Sequence, residues 1–229
     1  MQQDIQISAQ TIQLALAQHK VLRNTYMMLG LTMIPTVIGA LVGTATNFSF
    51  LAQYPIMGPL LMLAAMFGLM FAVGAARNSI WGVPLLLAFT FVMGWWLGPM
   101  LQYALNFRNG GQLVSMAAGG TGVIFFTLAG IATVTRKDFS FMGKFLMVGL
   151  VLLIIASIAN LFFQVPAASL TISAIAVLLF SGYILYDISQ IVHGGETNYV
   201  MATLKIYLDI YNIFVHLLNL LLVFSGRRD

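Results

Sequence analysis

The sequence of 229 residues has no cysteine and few charges, with 10 Lys+Arg and 6 Asp+Glu making up 7% of the chain. The absence of cysteine excludes disulfides, thiolate metal sites and cysteine nucleophiles. An ordinary soluble domain carries roughly 25% charged residues, so this chain has too few to cover a surface that faces water. Its cations are spread over loops instead of forming the dense basic face that nucleic acid requires. Nucleic acid is therefore not an expected partner.

Long apolar segments dominate the sequence, which is 60% hydrophobic with a mean hydropathy of +0.96. A helix needs about 20 apolar residues to cross the hydrocarbon core of a bilayer. Short connections with turn-forming residues, such as "FRNGG" at 107–111 and "HGGETN" at 193–198, separate the segments. The sequence therefore predicts an all-α integral membrane protein in a lipid bilayer. The seven predicted transmembrane helices are Tyr26–Ala45, Tyr54–Ala76, Trp81–Tyr103, Leu113–Val134, Phe141–Phe163, Ala167–Ile191 and Ala202–Phe224.

Residues 1–20 differ from the rest of the chain because they are polar, and they lack a basic start followed by an apolar run. We therefore expect no cleavable signal peptide. The predicted organisation is a polar tail at 1–20, mobile or lying at the interface, followed by a single transmembrane domain at 21–229.

The distribution of basic residues predicts the orientation, because loops on the cytoplasmic side are enriched in Lys and Arg. A cytoplasmic N-terminus and an outside C-terminus place seven cations inside and three outside. Those inside are Lys20, Arg23, Arg77, Arg136, Lys137, Lys144 and Lys205, and those outside are Arg108, Arg227 and Arg228. The basic C-terminus disagrees with this arrangement. A re-entrant last segment, which would return that terminus to the inside, is the alternative.

Two glycine pairs predict close helix contacts. Gly39 and Gly43 lie one turn apart in the first predicted helix, and Gly94 and Gly98 do so in the third. Small residues at this spacing let membrane helices approach closely.

Two carboxylates lie inside the last two predicted helices, at Asp187 and Asp209, with a short connection between them. The hairpin places both at a similar depth on adjacent helices. Arg77, at the inner end of the second helix, belongs to the same layer under the predicted orientation. Because charges that face lipid are costly, these side chains should point into the bundle. Two carboxylates held close in a low dielectric should share a proton.

Polar side chains extend along the same helices at helical spacing, which places each set on one face. They are Tyr183, Tyr186 and Gln190 around Asp187, and Lys205, Asn212, His216 and Asn219 around Asp209. The alternative to a functional aspartate pair is that the carboxylates form static structural salt bridges, Asp209 with Lys205 and Asp187 with Arg77. For His216, a packed, hydrogen-bonded histidine is favoured over a ligand or proton relay.

The segments "SGYILYDISQIVHGGETNY" and "YLDIYNIFVHLLNLL" resemble the signature of the Bax inhibitor-1 family, also called the transmembrane Bax inhibitor motif family. "HKVLRNTY" at 19–26 and "TRKDFSFMGKFL" at 135–146 resemble its bacterial YccA-type branch. The resemblance covers nearly the whole chain. It implies a seven-helix fold with two three-helix layers around a central C-terminal helix, in the bacterial inner membrane.

The family resemblance also implies a calcium-permeable, pH-sensitive leak that is governed by an aspartate pair, matched here by Asp187 and Asp209. Arg77 would hold the carboxylates. Ca²⁺ would be the permeant ion, bound weakly by the two aspartates, and H⁺ the regulator, with no cofactor. The YccA-type branch implies association with a membrane-anchored AAA protease, which residues 1–20 could serve. The leak is the main hypothesis, and an interaction protein that modulates that protease, or is its substrate, without transport is the alternative.

An enzyme is the remote alternative, because two aspartates on adjacent membrane helices are also the arrangement of intramembrane aspartyl proteases. Asp209 follows "KIYL" and not a "GxGD" motif, and no "PAL" tripeptide occurs. The sequence also lacks "GxSxG" and "HExxH". We therefore expect a protein that is not an enzyme.

Overall fold

The computed structural model describes residues 2–49, 53–54 and 57–226, with side chains from Leu16 onward except Pro59. The helices are α1 (Gln2–Ala45), α2 (Met57–Ala76), α3 (Gly82–Trp96), α4 (Gly98–Leu105), α5 (Gly110–Thr135), a 3₁₀ turn (Ser140–Met142), α6 (Gly143–Phe163), α7 (Pro166–Val192) and α8 (Tyr199–Ser225). The predicted all-α class is confirmed, and no strand occurs among the described residues.

Six helical segments are long and apolar enough to cross a membrane, and a seventh, Leu60–Ala76, is shorter. The six are Leu16–Ala45, Gly82–Leu105, Gly110–Thr135, Ser140–Phe163, Pro166–Val192 and Tyr199–Ser225. Together they confirm the seven predicted apolar helices of an integral membrane protein. The side chains of α6 are the least enclosed, with 11% of its apolar stretch buried inside the protein against 33% for α8. An apolar helix with so little protein around it must face lipid.

Two helices differ strongly from their predicted bounds, and the ends of the other five lie within three residues of them. The first begins at Gln2 and not at Tyr26, because residues 2–25 contain no Gly or Pro and are rich in Gln, Ala and Leu, which favour helices. The separation of a tail at residue 20 stays a prediction. The third predicted helix is interrupted at Leu97 between α3 and α4. Pro99 has no N–H to donate to the Trp95 carbonyl, which ends the regular hydrogen bonding there.

The chain forms two compact units, one of residues 1–23, 111–197 and 205–229 and a second of residues 24–110 and 198–204. In the second unit α1 touches α3 and the first residue of α4 through the predicted glycines. A Cβ added to Gly39 would meet Phe91 O, and one added to Gly94 would meet Thr36 O. One added to Gly98 would lie 2.6 Å from Gly43 O. These backbones are therefore in direct contact, as the spacing predicts.

The end of α1 in this second unit is closed by a side chain from α4. Gln102 Nε2 lies 3.1 Å from the carbonyl oxygens of Gly43 and Thr44 and 2.8 Å from that of Thr46. The last carbonyls of a helix lack the amide partner that the next turn would supply. The Gln102 amide, which has two hydrogens, adds a donor at this end of α1, where Gly43 O also accepts from the Thr46 amide at 3.2 Å.

In the first unit α6 packs along α7, again at glycines. A Cβ at Gly143 would lie 2.8 Å from the Tyr186 ring, and one at Gly182 would lie 2.8 Å from Leu146. This contact fixes the face that α7 turns toward α6 and so determines where its other polar side chains can point.

Candidate functional site

The hairpin between α7 and α8 is built by residues with defined turn chemistry. Gly194 has a φ of +78°, a conformation that only glycine adopts without strain. Gly195 N donates to Gln190 O at 2.7 Å, closing the end of α7. Asn198 Oδ1 accepts from the amides of Val200 and Met201, both at 3.0 Å, as an N-cap does. The tight turn sets the register of the two helices.

That register brings Asp187 and Asp209 together. The exposed fractions of the two residues are 8% and 5%, and their carboxyl groups are within hydrogen-bonding reach of each other. Ionised carboxylates have no donor, so as two anions they would leave Asp209 Oδ2 buried without a partner. A single proton held between the two carboxyl groups would give the pair a donor. The pair is geometrically able to hold a proton between two transmembrane helices.

Lys205 lies on the same face of α8 but does not form the static bridge to Asp209 that was the plain alternative. Its Nζ pairs with Glu196 Oε2 at 2.7 Å. Both residues remain within electrostatic range of Asp187. Glu196, in the hairpin, thus determines where the Lys205 ammonium group lies. The sequence analysis did not identify Glu196, because a helical pattern does not include loop residues.

The polar side chains on the predicted face of α7 lie near two different parts of the protein, the aspartate pair and the start of α6 with the turn before it. Tyr183 lies in electrostatic range of both aspartates. Tyr186 instead packs at Gly143, and Gln190 Nε2 donates to Ser140 Oγ at 2.8 Å. Only part of the face therefore belongs to the aspartate pair.

The predicted polar face of α8 continues away from the pair to a second contact with α7. Asn219 Nδ2 donates to Ser173 Oγ at 2.8 Å, and His216 Nδ1 lies 3.3 Å from the same oxygen. His216 is thus a packed histidine with a polar neighbour. Asn212 Nδ2 donates to Leu208 O of its own helix at 2.8 Å. Sequence reasoning missed Ser173, although it lies 14 residues before Asp187, which is four helical turns along one face.

Arg77 directly follows the last residue of α2 and is exposed; that this end of the helix faces the cytoplasm stays a prediction. Its carbonyl oxygen accepts from Asn198 Nδ2 at 3.1 Å. The role of its guanidinium as a brace for the aspartates stays a prediction.

Oxygen ligands around the aspartates are few for a bound divalent cation. Ca²⁺ takes 6–8 oxygen ligands, and the described part of the chain contains no group of three or more His, Cys, Asp or Glu that could hold a metal. Asp187 and Asp209 can contribute carboxylate oxygens to a passing ion, but they do not form a complete coordination shell for a resident one.

Comparison with known proteins identifies the family. The family model described as inhibitor of apoptosis-promoting Bax1 matches residues 18–226, which include the hairpin and both aspartates. The chain belongs to the Bax inhibitor-1 family.

Bacterial members of this Bax inhibitor-1 family align with almost the full length of the chain. A protein of Escherichia coli K12 named "Modulator of FtsH protease YccA" is 44% identical over 206 residues, 90% of this chain and 91% of that protein. A Vibrio cholerae protein described as an uncharacterized membrane protein is 40% identical over 217 residues, 95% of each. An E. coli O6:H1 relative, also 44% identical over 90% of this chain and 91% of its own length, is named an inner membrane protein.

Proposed function

We propose that this chain is a regulatory protein of the bacterial inner membrane that modulates a membrane-anchored AAA protease. The observation that carries the proposal is the 44% identity, over 90% of the chain, to an E. coli protein named as a modulator of the FtsH protease. The proposed role is binding, without catalysis by this chain. As the distribution of Lys and Arg indicates, the N-terminus is proposed to be cytoplasmic and the C-terminus outside. The basic C-terminal residues 227–229 lie outside the described residues.

The proposed contact with the protease is the N-terminal part of α1. This segment continues the first membrane helix without a break, and from Leu16 to Lys20 most of its side chains are exposed. An exposed helical extension is suited to docking on a partner.

The test of this role measures how fast FtsH degrades a membrane substrate in cells that produce this protein. Wild type should change the degradation rate relative to cells that lack it, and a variant that lacks residues 2–15 should not, while remaining in the membrane. The matched control is Asp209→Asn, which alters the aspartate pair and leaves the tail intact, and it should change the rate as wild type does. A truncated protein with the wild-type effect would refute docking through the tail.

We also propose a second function, a proton-responsive leak permeable to Ca²⁺, because of one specific observation. Asp187 and Asp209 are buried in hydrogen-bonding reach of each other in spanning helices, and ionisable groups inside a membrane are costly unless they serve a function. A proton or Ca²⁺ at the pair changes its charge and so shifts the balance between closed and open arrangements of α7 and α8. Arg77 is proposed to brace the closed form.

Liposomes that contain a calcium dye test the leak separately. Wild type should admit Ca²⁺ and respond to pH, whereas a protein with both Asp187→Asn and Asp209→Asn should lose the pH response. The variant without residues 2–15 should leak like wild type. The truncation should alter only the degradation rate, and the aspartate changes should alter only the pH response of the Ca²⁺ flux. Failure of one proposed function can therefore be distinguished from failure of the other. A wild-type flux equal to that of empty liposomes would eliminate the leak.

A further inference from the structure

His193, at the end of α7, is placed between two backbone carbonyls. Its Nδ1 lies 2.9 Å from Ser189 O, and its Nε2 lies 3.1 Å from Arg136 O. Carbonyl oxygens only accept hydrogen bonds, and a neutral imidazole has a single N–H to donate. Both contacts are hydrogen bonds only when the ring carries two protons.

Ser189 ties the same region together, and it is fully buried. Its Oγ accepts from the Phe139 amide at 2.9 Å and lies 3.4 Å from Lys137 O. It is also 3.3 Å from His193 Nδ1. The hydroxyl has one hydrogen, so it can donate either to Lys137 O or to an unprotonated Nδ1, but not to both.

We propose that His193 is a second proton-binding site, separate from the aspartate pair, which fastens the α5–α6 linker (residues 136–142) to the end of α7 when protonated. In the protonated state Nδ1–H donates to Ser189 O, Nε2–H donates to Arg136 O, and the Ser189 hydroxyl is free to donate to Lys137 O. In the neutral state with Nε2–H, the Ser189 hydroxyl turns to Nδ1. The bond to Lys137 is then lost, and the Nδ1 lone pair faces the Ser189 carbonyl. In the other neutral form, with Nδ1–H, the Nε2 lone pair faces the Arg136 carbonyl and that bond is lost instead. Either neutral form therefore holds the linker more weakly.

The charged surroundings of His193 are mixed. Asp138 lies within its electrostatic range, and hydrogen bonds from the Ser140 side chain and amide lower the pKa of Asp138, so that carboxylate is ionised wherever a histidine titrates. The charged and titratable groups on the elements around His193 are Arg136, Lys137 and Asp138 on the linker, Lys144 on α6, Asp187 on α7, Glu196 in the hairpin, and His19 and Lys20 beside Gln18, whose side chain approaches Gly194. Of the charged residues on the linker, Asp138 is the acidic one, so its carboxylate is the linker group that attracts a protonated His193.

A linker fastened by a proton has a readout that is independent of ion flux and of the protease. Amide hydrogen exchange of the purified full chain in nanodiscs measures how well residues 137–140 are held. After correction for intrinsic exchange, protection of this segment should be about fivefold higher at pH 5.5 than at pH 8, the change expected from one hydrogen bond of ordinary net strength. His193→Ala and His193→Gln cannot take up the proton and should both show the weaker protection at both pH values. Ser189→Ala removes the acceptor for the Phe139 amide and should lower protection throughout.

The matched control is His19→Gln, an exposed histidine on α1, which should keep the wild-type difference. Equal wild-type protection at the two pH values would overturn the proposal, and so would a pH difference that persists in both His193 variants. ¹⁵N spectra of histidine-labelled protein add a measurement that needs no exchange. The signal that disappears in His193→Gln should show two protonated ring nitrogens at pH 5.5 and one at pH 8, and a ring that stays neutral at pH 5.5 would refute the site.

Discussion

The contact between α1 and α3 and the contact between α7 and α8 join membrane helices by opposite means. The first brings backbone atoms together at Gly39, Gly43 and Gly94, where the nearest atoms to an added Cβ are all backbone. The second holds the helices through buried polar groups, the aspartate pair at one level and Ser173 with Asn219 at another. A contact between backbones contains no titratable group, so its strength does not depend on pH. A polar contact can change strength with protonation, so of these two contacts the one between α7 and α8 is suited to respond to a signal.

The largest expected effect concerns the glycine contact. Gly94→Ala places a methyl group on Thr36 O, and backbone atoms cannot move aside as a flexible side chain can. We expect a loss of about 3 kcal/mol in the free energy of unfolding, the upper end for overpacked sites, measured by steric trapping in bicelles. Gly30→Ala on α1 is the control, because nothing lies within 4 Å of its added Cβ, and it should change the stability little. Equal effects of the two variants would mean that α1 and α3 do not touch at these positions.

The sequence predicted which glycines allow a close helix contact, but not that the two pairs meet each other, and it predicted the polar contact in part. Glycines one turn apart can be recognised from spacing alone. The aspartates were found because a charge in an apolar run is conspicuous and the short hairpin limits where it can lie. Ser173 and Ser189 were missed because serines are common in membrane helices, where they often bond their own backbone, as Ser181 does to Val177 O. Glu196 was missed because it lies in the hairpin, outside any helical pattern. The role of these side chains depends on which residues they contact, and the packing of the helices determines those contacts.

Ser173 offers the next sharpest test of the polar contact. Ser173→Ala leaves Asn219 Nδ2 without its acceptor, and we expect the free energy of unfolding to fall by about 1 kcal/mol, the usual size for a hydrogen bond between membrane helices. The matched control is Ser181→Ala on the same helix, whose hydroxyl bonds only within α7. A loss as large in the control would assign the effect to the helix and not to the contact between helices.

A smaller effect is expected from the pair of Lys205 and Glu196, since the Lys205 side chain is 43% exposed. Glu196→Gln should cost about 0.5 kcal/mol, as partly exposed ion pairs do, and the cost should shrink in 1 M salt. Glu196→Gln should also affect the aspartate pair. Released from Glu196, Lys205 can turn toward the aspartates, so the pH response of the pair should change. If Glu196→Gln leaves that response as in wild type, the bridge does not control the charge near Asp187.

The smallest effect concerns Asp138, which is fully exposed. Its carboxylate accepts from the Ser140 amide at 2.8 Å, and the hydrogen bonds of Ser140 lower its pKa from the ordinary 3.8. A lowered pKa in the folded state stabilises the protein above pH 3.8, and this contribution is lost as the pH falls through the lowered value. Asp138→Ala should therefore be slightly less stable than wild type at pH 7, and the difference should vanish in strong acid. A difference that does not depend on pH would indicate a packing effect.

The central claim is that Asp187 and Asp209 act as one proton-sharing pair, and a double-mutant cycle across pH tests it most directly. The free energy of unfolding is measured at pH 5 to 8 for wild type, Asp187→Asn, Asp209→Asn and the double variant. An Asn amide can donate to the remaining carboxylate, so each single variant keeps a hydrogen bond but loses the shared proton. We predict that wild-type stability varies with pH, that either single variant shows a changed pH dependence because one buried carboxyl group remains, that the double variant loses the contribution of the pair, and that the two losses are strongly non-additive. Additive losses, each with its own pH dependence, would contradict the account and make the aspartates two separate sites.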